Sequence, residues 1–175
     1  PAHQGALLNL GRVYRQQGQL DKAAGRYVEA LRSDEYNVDF LNNLAVIYRL
    51  QKKYDLAIES LRKLLSRTPN NPEAFKNLGL VYFDQGKYRL AEFILVEAKK
   101  LDDKDAGVYN NLGMIYLQRD DRRLALGAFQ QAVKLDPESA NNPLIFPDDE
   151  ILSNVVQFDS AALNNQTYIE QWQKL

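Results

Sequence analysis

Residues 77–100 read NLGLVYFDQGKYRLAEFILVEAKK, and the spacing inside this stretch recurs along the chain. Its Leu78-Gly79 pair has counterparts at Leu10-Gly11, Leu44-Ala45 and Leu112-Gly113, a strict period of 34. Three residues after each small residue stands a tyrosine: Tyr14, Tyr48, Tyr82 and Tyr116. Twelve after it stands an alanine: Ala23, Ala57, Ala91 and Ala125. A large apolar residue follows four further on (Tyr27, Leu61, Leu95, Phe129), then Ala30, Leu64, Ala98 or Ala132 three beyond that. Self-similarity at such a period is the mark of a repeat architecture. Within each unit the apolar positions fall at i, i+3, i+4 and i+7, which is helical spacing.

Each unit breaks once in the middle, at Gln17-Gly18-Gln19, Gln51-Lys52-Lys53, Gln85-Gly86-Lys87 and Arg119-Asp120-Asp121. Pro69 and Pro137 stop the second segment in two units, since proline cannot continue a helix. Small residues at the Gly/Ala and later alanine columns let two helices approach closely, and the tyrosine fills the gap between them. Each unit is thus expected to be an antiparallel helix pair that must bury its face against its neighbours.

These columns resemble the tetratricopeptide repeat family. The resemblance covers residues 4–37, 38–71, 72–105 and 106–139. It departs where the family's early tryptophan is replaced by Leu7, Leu41, Phe75 and Tyr109, and where proline is lost at Glu35 and Asp103. It implies an all-α solenoid, a right-handed superhelix of four helix pairs with the first helix of each pair forming the concave wall. A tail that does not repeat, residues 140–175, would follow.

The concave positions implied by the resemblance define the candidate partner site. Two residues before the small residue stands asparagine in every unit: Asn9, Asn43, Asn77 and Asn111. Asparagine both donates and accepts, so such a ladder suits the backbone of an extended peptide; superhelices of the O-linked N-acetylglucosamine transferase type are similar here. Beside it run Leu8, Arg12 and Arg15, then Asn42, Val46, Arg49 and Leu50. Lys76, Leu80 and Phe83 follow in the third unit, and Asn110, Met114 and Leu117 in the fourth. The expected groove is apolar from Val46 to Leu117 and basic toward its start. The carboxylate clamp of chaperone-binding relatives wants lysine at Leu8, asparagine at Arg12 and cations at Glu73 and Asn77; only Asn43 fits it.

Composition narrows the function further. The chain holds 175 residues with a net charge of −1, no Cys and one His, His3. That removes disulfides, thiolate zinc sites, cysteine nucleophiles and Ser-His-Asp catalysis. A nucleic-acid binder would show a basic excess. No apolar run approaches the length of a membrane span. No cofactor is expected and no catalysis. Asp102-Asp103-Lys104-Asp105-Ala106-Gly107 hints at a calcium loop, but its twelfth position would be Met114 rather than glutamate. Asp120-Asp121, Asp148-Asp149-Glu150 and the sequon at Asn165 read as solvated turns or coincidence.

Residues 140–175 carry five acidic residues and one basic, against 21 basic and 18 acidic in the rest. Asp148-Asp149-Glu150 reads as a helix start, followed by an apolar stripe at Ile151, Leu152, Val155 and Val156. A further helix is expected from Ala161, with Trp172 on its apolar side. The tail is expected to cap the solenoid or to dock in the concave groove of its own chain or a neighbour's, the latter giving a homo-oligomer. The chain is therefore expected to bind a protein or peptide, acidic and apolar in character, as an adaptor or scaffold. It could also be the recognition arm of a larger enzyme such as a glycosyltransferase, or a self-assembling scaffold. Pro1 in place of Met suggests an excised or processed fragment, leaving the compartment open between cytoplasm, slightly favoured, and periplasm.

Overall fold

A computed structural model describes residues 2–137. The expectations for the tail at 140–175, including the helix start at Asp148, the sequon at Asn165 and the placement of Trp172, lie outside the described residues. Eight helices and no strands are found among the described residues: α1 (Ala2–Gln16), α2 (Leu20–Leu31), α3 (Val38–Leu50), α4 (Tyr54–Arg67), α5 (Pro72–Asp84), α6 (Tyr88–Leu101), α7 (Ala106–Gln118) and α8 (Arg122–Leu135). They form four helix pairs, and each second helix packs on the first helix of the next pair.

The turn inside every pair has one geometry. Gly18, Lys52, Gly86 and Asp120 all adopt positive φ, at 71°, 59°, 72° and 57°. In each case the left-handed residue donates its N–H three residues back, and the next residue donates to the carbonyl of the column tyrosine, as Gln19 N to Tyr14 O at 2.8 Å. This pair of hydrogen bonds satisfies carbonyls that the helix end would orphan. Two of the four turns use glycine, which takes this conformation freely; Lys52 and Asp120 adopt it at a steric cost.

Helix starts follow the same period. Asn37, Asn71 and Asp105 accept from Phe40 N, Ala74 N and Gly107 N and cap α3, α5 and α7. α4, α6 and α8 end at Arg67, Leu101 and Leu135, in step, although α6 has no proline after it. α6 instead ends where Asp102 turns to extended backbone (φ −144°, ψ 99°), as Asp136 does after α8 (φ −140°, ψ 94°).

The close approach expected at the small-residue column is present. A Cβ built on Gly11 would lie 2.3 Å from the Tyr27 ring, on Gly79 2.6 Å from Leu95, and on Gly113 2.5 Å from Phe129. Only in the second unit, where the partner is Leu61, does alanine hold this place, as buried Ala45. The alanine columns and the large residues between them are buried throughout. Burying a leucine of this kind contributes about 1.5–3 kcal/mol.

The core is divided into three clusters. The first joins Tyr27 and Ala23 of α2 to Phe40, Leu44 and Ile47 of α3. The second joins Leu61 and Leu64 of α4 to Ala74, Leu78 and Val81 of α5. The third joins Leu95 of α6 to Val108, Leu112 and Ile115 of α7. Tyr48 touches the first and second clusters and Tyr82 the second and third. The leading face of α1 has no described neighbour, so Leu10 and Val13 stand 39% and 44% exposed, where Leu44 and Ile47 are buried.

Candidate functional site

Among first helices, α3 touches α1 and α5, and α5 touches α7; no comparably close pairing links successive second helices. Crowding on one side and spreading on the other place α1, α3, α5 and α7 on the inner wall. The residues expected in the groove all belong to these four helices.

The asparagine column is not uniform. Asn9 is exposed, and Asn43 donates its amide to the carbonyl of Asp39, one turn back, at 2.7 Å. Asn77 is 7% exposed and donates to Asn42 Oδ1 at 2.7 Å, with Glu73 Oε1 at 3.5 Å. Asn111 is half-buried. Asn110 beside it has a buried Oδ1 with no hydrogen-bond donor. Of the four column asparagines, Asn43 and Asn77 are thus spent on the protein itself, Asn9 is exposed and Asn111 half-buried, and the unanswered acceptor belongs to Asn110, one position before the column.

The charged positions divide likewise. Lys76 Nζ lies 2.7 Å from both Glu73 Oε2 and Asp105 Oδ2, linking α5 to the cap of α7. Burial alone would lower its pKa, but the hydrogen bonds to Asp105 and Glu73 outweigh burial and the net shift is upward. Arg49 Nε approaches Asp84 Oδ2 at 3.6 Å without a hydrogen bond. Burial pushes the Asp84 carboxyl up and Arg49 only partly opposes it. Arg12 is exposed and Arg15 half-buried, and both lie near the buried Tyr27 hydroxyl. Neither has a carboxylate partner among the described residues.

The apolar positions behave differently. Val46, Leu80, Met114 and Leu117 are half-buried on α3, α5 and α7 and belong to none of the three core clusters. Phe83 packs against the third cluster and on Tyr88, with ring centroids 5.5 Å apart. Leu8 packs against the first cluster, and Leu50 is exposed. These four apolar residues stay partly accessible on α3, α5 and α7. Nothing in the sequence marked Asp84 as facing Arg49, or Glu73 and Asp105 as holding Lys76; the 34-residue period, which places Asp105 in the cap column of Asn37 and Asn71, is the signal that marks its place at the start of α7. Asp102 and Asp105 are used in turns, their Oδ1 atoms accepting from Lys104 N and Gly107 N.

Sequence profiles of the tetratricopeptide repeat match residues 8–72, 48–115 and 106–139. The chain belongs to the tetratricopeptide repeat family, whose architecture is that of a protein-interaction scaffold. No curated protein matches it in sequence. Among solved structures, PilF of Pseudomonas aeruginosa is similar at 25% identity and a TM-score of 0.74, over 99% of this chain and 76% of that one. A thermophilic tetratricopeptide repeat protein of Thermus thermophilus aligns at 21% identity and a TM-score of 0.75, over 96% and 91% of the two chains, and shows the fold alone. MamA aligns at 26% identity with a TM-score of 0.63, over 79% of this chain and 76% of that one. No described helix is long and apolar enough to cross a membrane.

Proposed function

We propose that the inner groove binds an extended peptide or partner helix that is apolar over much of its length and acidic at one end, and that the protein acts as an adaptor without chemistry of its own. The observation that carries this reading is the strip of Val46, Leu80, Met114 and Leu117, half-buried yet outside every core cluster. An apolar strip with a few convergent polar groups is the usual form of a binding surface. Asn110 Oδ1 supports it, because a buried acceptor without a donor costs about 1–3 kcal/mol, which a peptide N–H would recover. Arg12 and Arg15 supply the cationic end that favours an acidic partner.

The test is selection from a displayed peptide library, with the enriched peptides titrated calorimetrically. Leu80→Glu with Met114→Glu is expected to weaken binding by at least about tenfold, and Arg12→Glu to weaken acidic peptides selectively. Enrichment of no peptide, or affinities indifferent to both changes in a protein that keeps its helical spectrum, would reject the groove.

A further inference from the structure

The strict repeat lets one junction serve as the template for another. Arg49 on α3 and Asp84 on α5 stand four and five residues after the small residue of their own units. Arg49 Nε lies 3.6 Å from Asp84 Oδ2, across the contact between α3 and α5. One repeat earlier the same two columns hold Arg15 on α1 and Leu50 on α3, which are also in contact. The cation is kept, but its counter-ion is replaced by a leucine, which cannot accept a hydrogen bond. Leu50 is 47% exposed and joins no core cluster.

Among the described residues no other carboxylate makes up the loss. Neither Arg15 nor Arg12, one turn before it, is paired. α1 contains no acidic residue, and Asp21, the first in the chain, meets Gln51 Nε2 at 2.9 Å and Lys53 Nζ at 3.9 Å. Near the two arginines the Tyr27 hydroxyl is fully buried and also has no hydrogen-bond partner. Its ring lies against Gly11, one residue before Arg12. An arginine fork offers five N–H donors, enough to meet the Tyr27 oxygen and a ligand carboxylate together.

We propose that Arg15 sets the ligand preference of the groove, taking from a bound peptide the aspartate or glutamate carboxylate that Asp84 supplies to Arg49. On the reading of the groove as a peptide site, on which this seat depends, the acidic side chain lies at the first unit beside an apolar neighbour that covers Leu50. Past it the two arginine columns turn apolar, one at Val46, Leu80 and Met114 and the other, after Arg49, at Phe83 and Leu117. Arg49 does not compete for the acid, since Asp84 already answers it. The template is a side chain with chain on both sides of it, so the ligand is an internal acidic residue rather than a chain terminus.

The test screens a peptide library, displayed with its C-terminus fused so that no terminal carboxylate is free, against the full chain and its variants. Wild type is expected to enrich peptides with Asp or Glu at one end of an apolar segment. Arg15→Gln is expected to lower that acidic enrichment at least about fivefold while the apolar positions persist. Leu50→Asp supplies the missing carboxylate from the chain itself and is expected to do the same. Leu90→Asp places an equal change of charge at an exposed position of α6 and is expected to change nothing. Asp84→Asn frees Arg49 and is expected to enrich a second acidic position next to the first. Enrichment of no peptide by the folded wild type rejects the groove and the seat together. Apolar peptides without an acidic position, acidic enrichment that survives Arg15→Gln or Leu50→Asp, an equal loss with Leu90→Asp, or a single acidic position with Asp84→Asn overturns the seat and leaves the groove standing.

Discussion

At the scale of single residues, glycine plays opposite parts at Gly113 and Gly127. Both lie inside helices, where glycine costs about 1 kcal/mol relative to alanine. A methyl on Gly113 would meet the Phe129 ring at 2.5 Å, whereas one on Gly127 would meet nothing within 4 Å. Gly113→Ala is therefore expected to lose about 1–2 kcal/mol, overpacking outweighing the gain in propensity, and Gly127→Ala to gain about 1 kcal/mol. Urea denaturation of the two variants checks this; shifts of the same sign would refute the packing account. The close approach at Gly113 was legible in the sequence, since glycine or alanine fills its column in every unit, but that it meets the Phe129 ring sixteen residues on was not. The strained turns at Lys52 and Asp120 were not: only two of the four turns contain glycine, and the left-handed conformation at the others emerges from the shared hydrogen-bond pattern.

At the scale of elements, Lys76 joins two helices that the apolar columns alone would also place together. Its tie to Glu73 and Asp105 raises its pKa, so the folded protein holds the lysine's proton more tightly than the unfolded chain does. The stabilisation is thus fully present below the ordinary lysine value and is lost as pH rises through the higher folded one. Denaturation midpoints of wild type and Lys76→Met should differ by a constant amount from neutral pH up to mildly alkaline pH and converge above pH 10.5. A gap that stays constant through that alkaline range would show that the lysine acts through packing of its stem. In the sequence Lys76 read as a groove cation open to a partner, because only Glu73, three residues back on α5, is a local neighbour, whereas Asp105 stands 29 residues on at the cap of α7 and that adjacency is not written in local spacing. Asn77 and Asn42, 35 residues apart, were hidden for the same reason.

At the scale of the whole molecule, the same column has different worth in different units. Val13 and Ile115 occupy one register, yet Val13 is exposed and Ile115 fully buried against the third cluster. Val13→Gln should stay within about 0.5 kcal/mol of wild type, while Ile115→Gln should cost more than about 2 kcal/mol through lost burial and an amide without partners. Thermal melts of both variants test the point, and comparable losses would mean that the leading face of α1 is covered in solution. Most of the solenoid was thus legible from five columns, because each column repeats one physical task. What a partner meets in the groove depends on residues that break the repetition, and these had to be located in space.

The division of the core into three clusters, each reaching across a single junction, has a mechanical consequence. Load applied between residues 2 and 137 meets the junctions in series, so tension is carried by whichever is weakest at that moment. Drawn out in an optical trap, the chain should lengthen in several small steps and shorten again along nearly the same path, as a spring does, while a single abrupt rip would reveal a core more continuous than its contacts indicate.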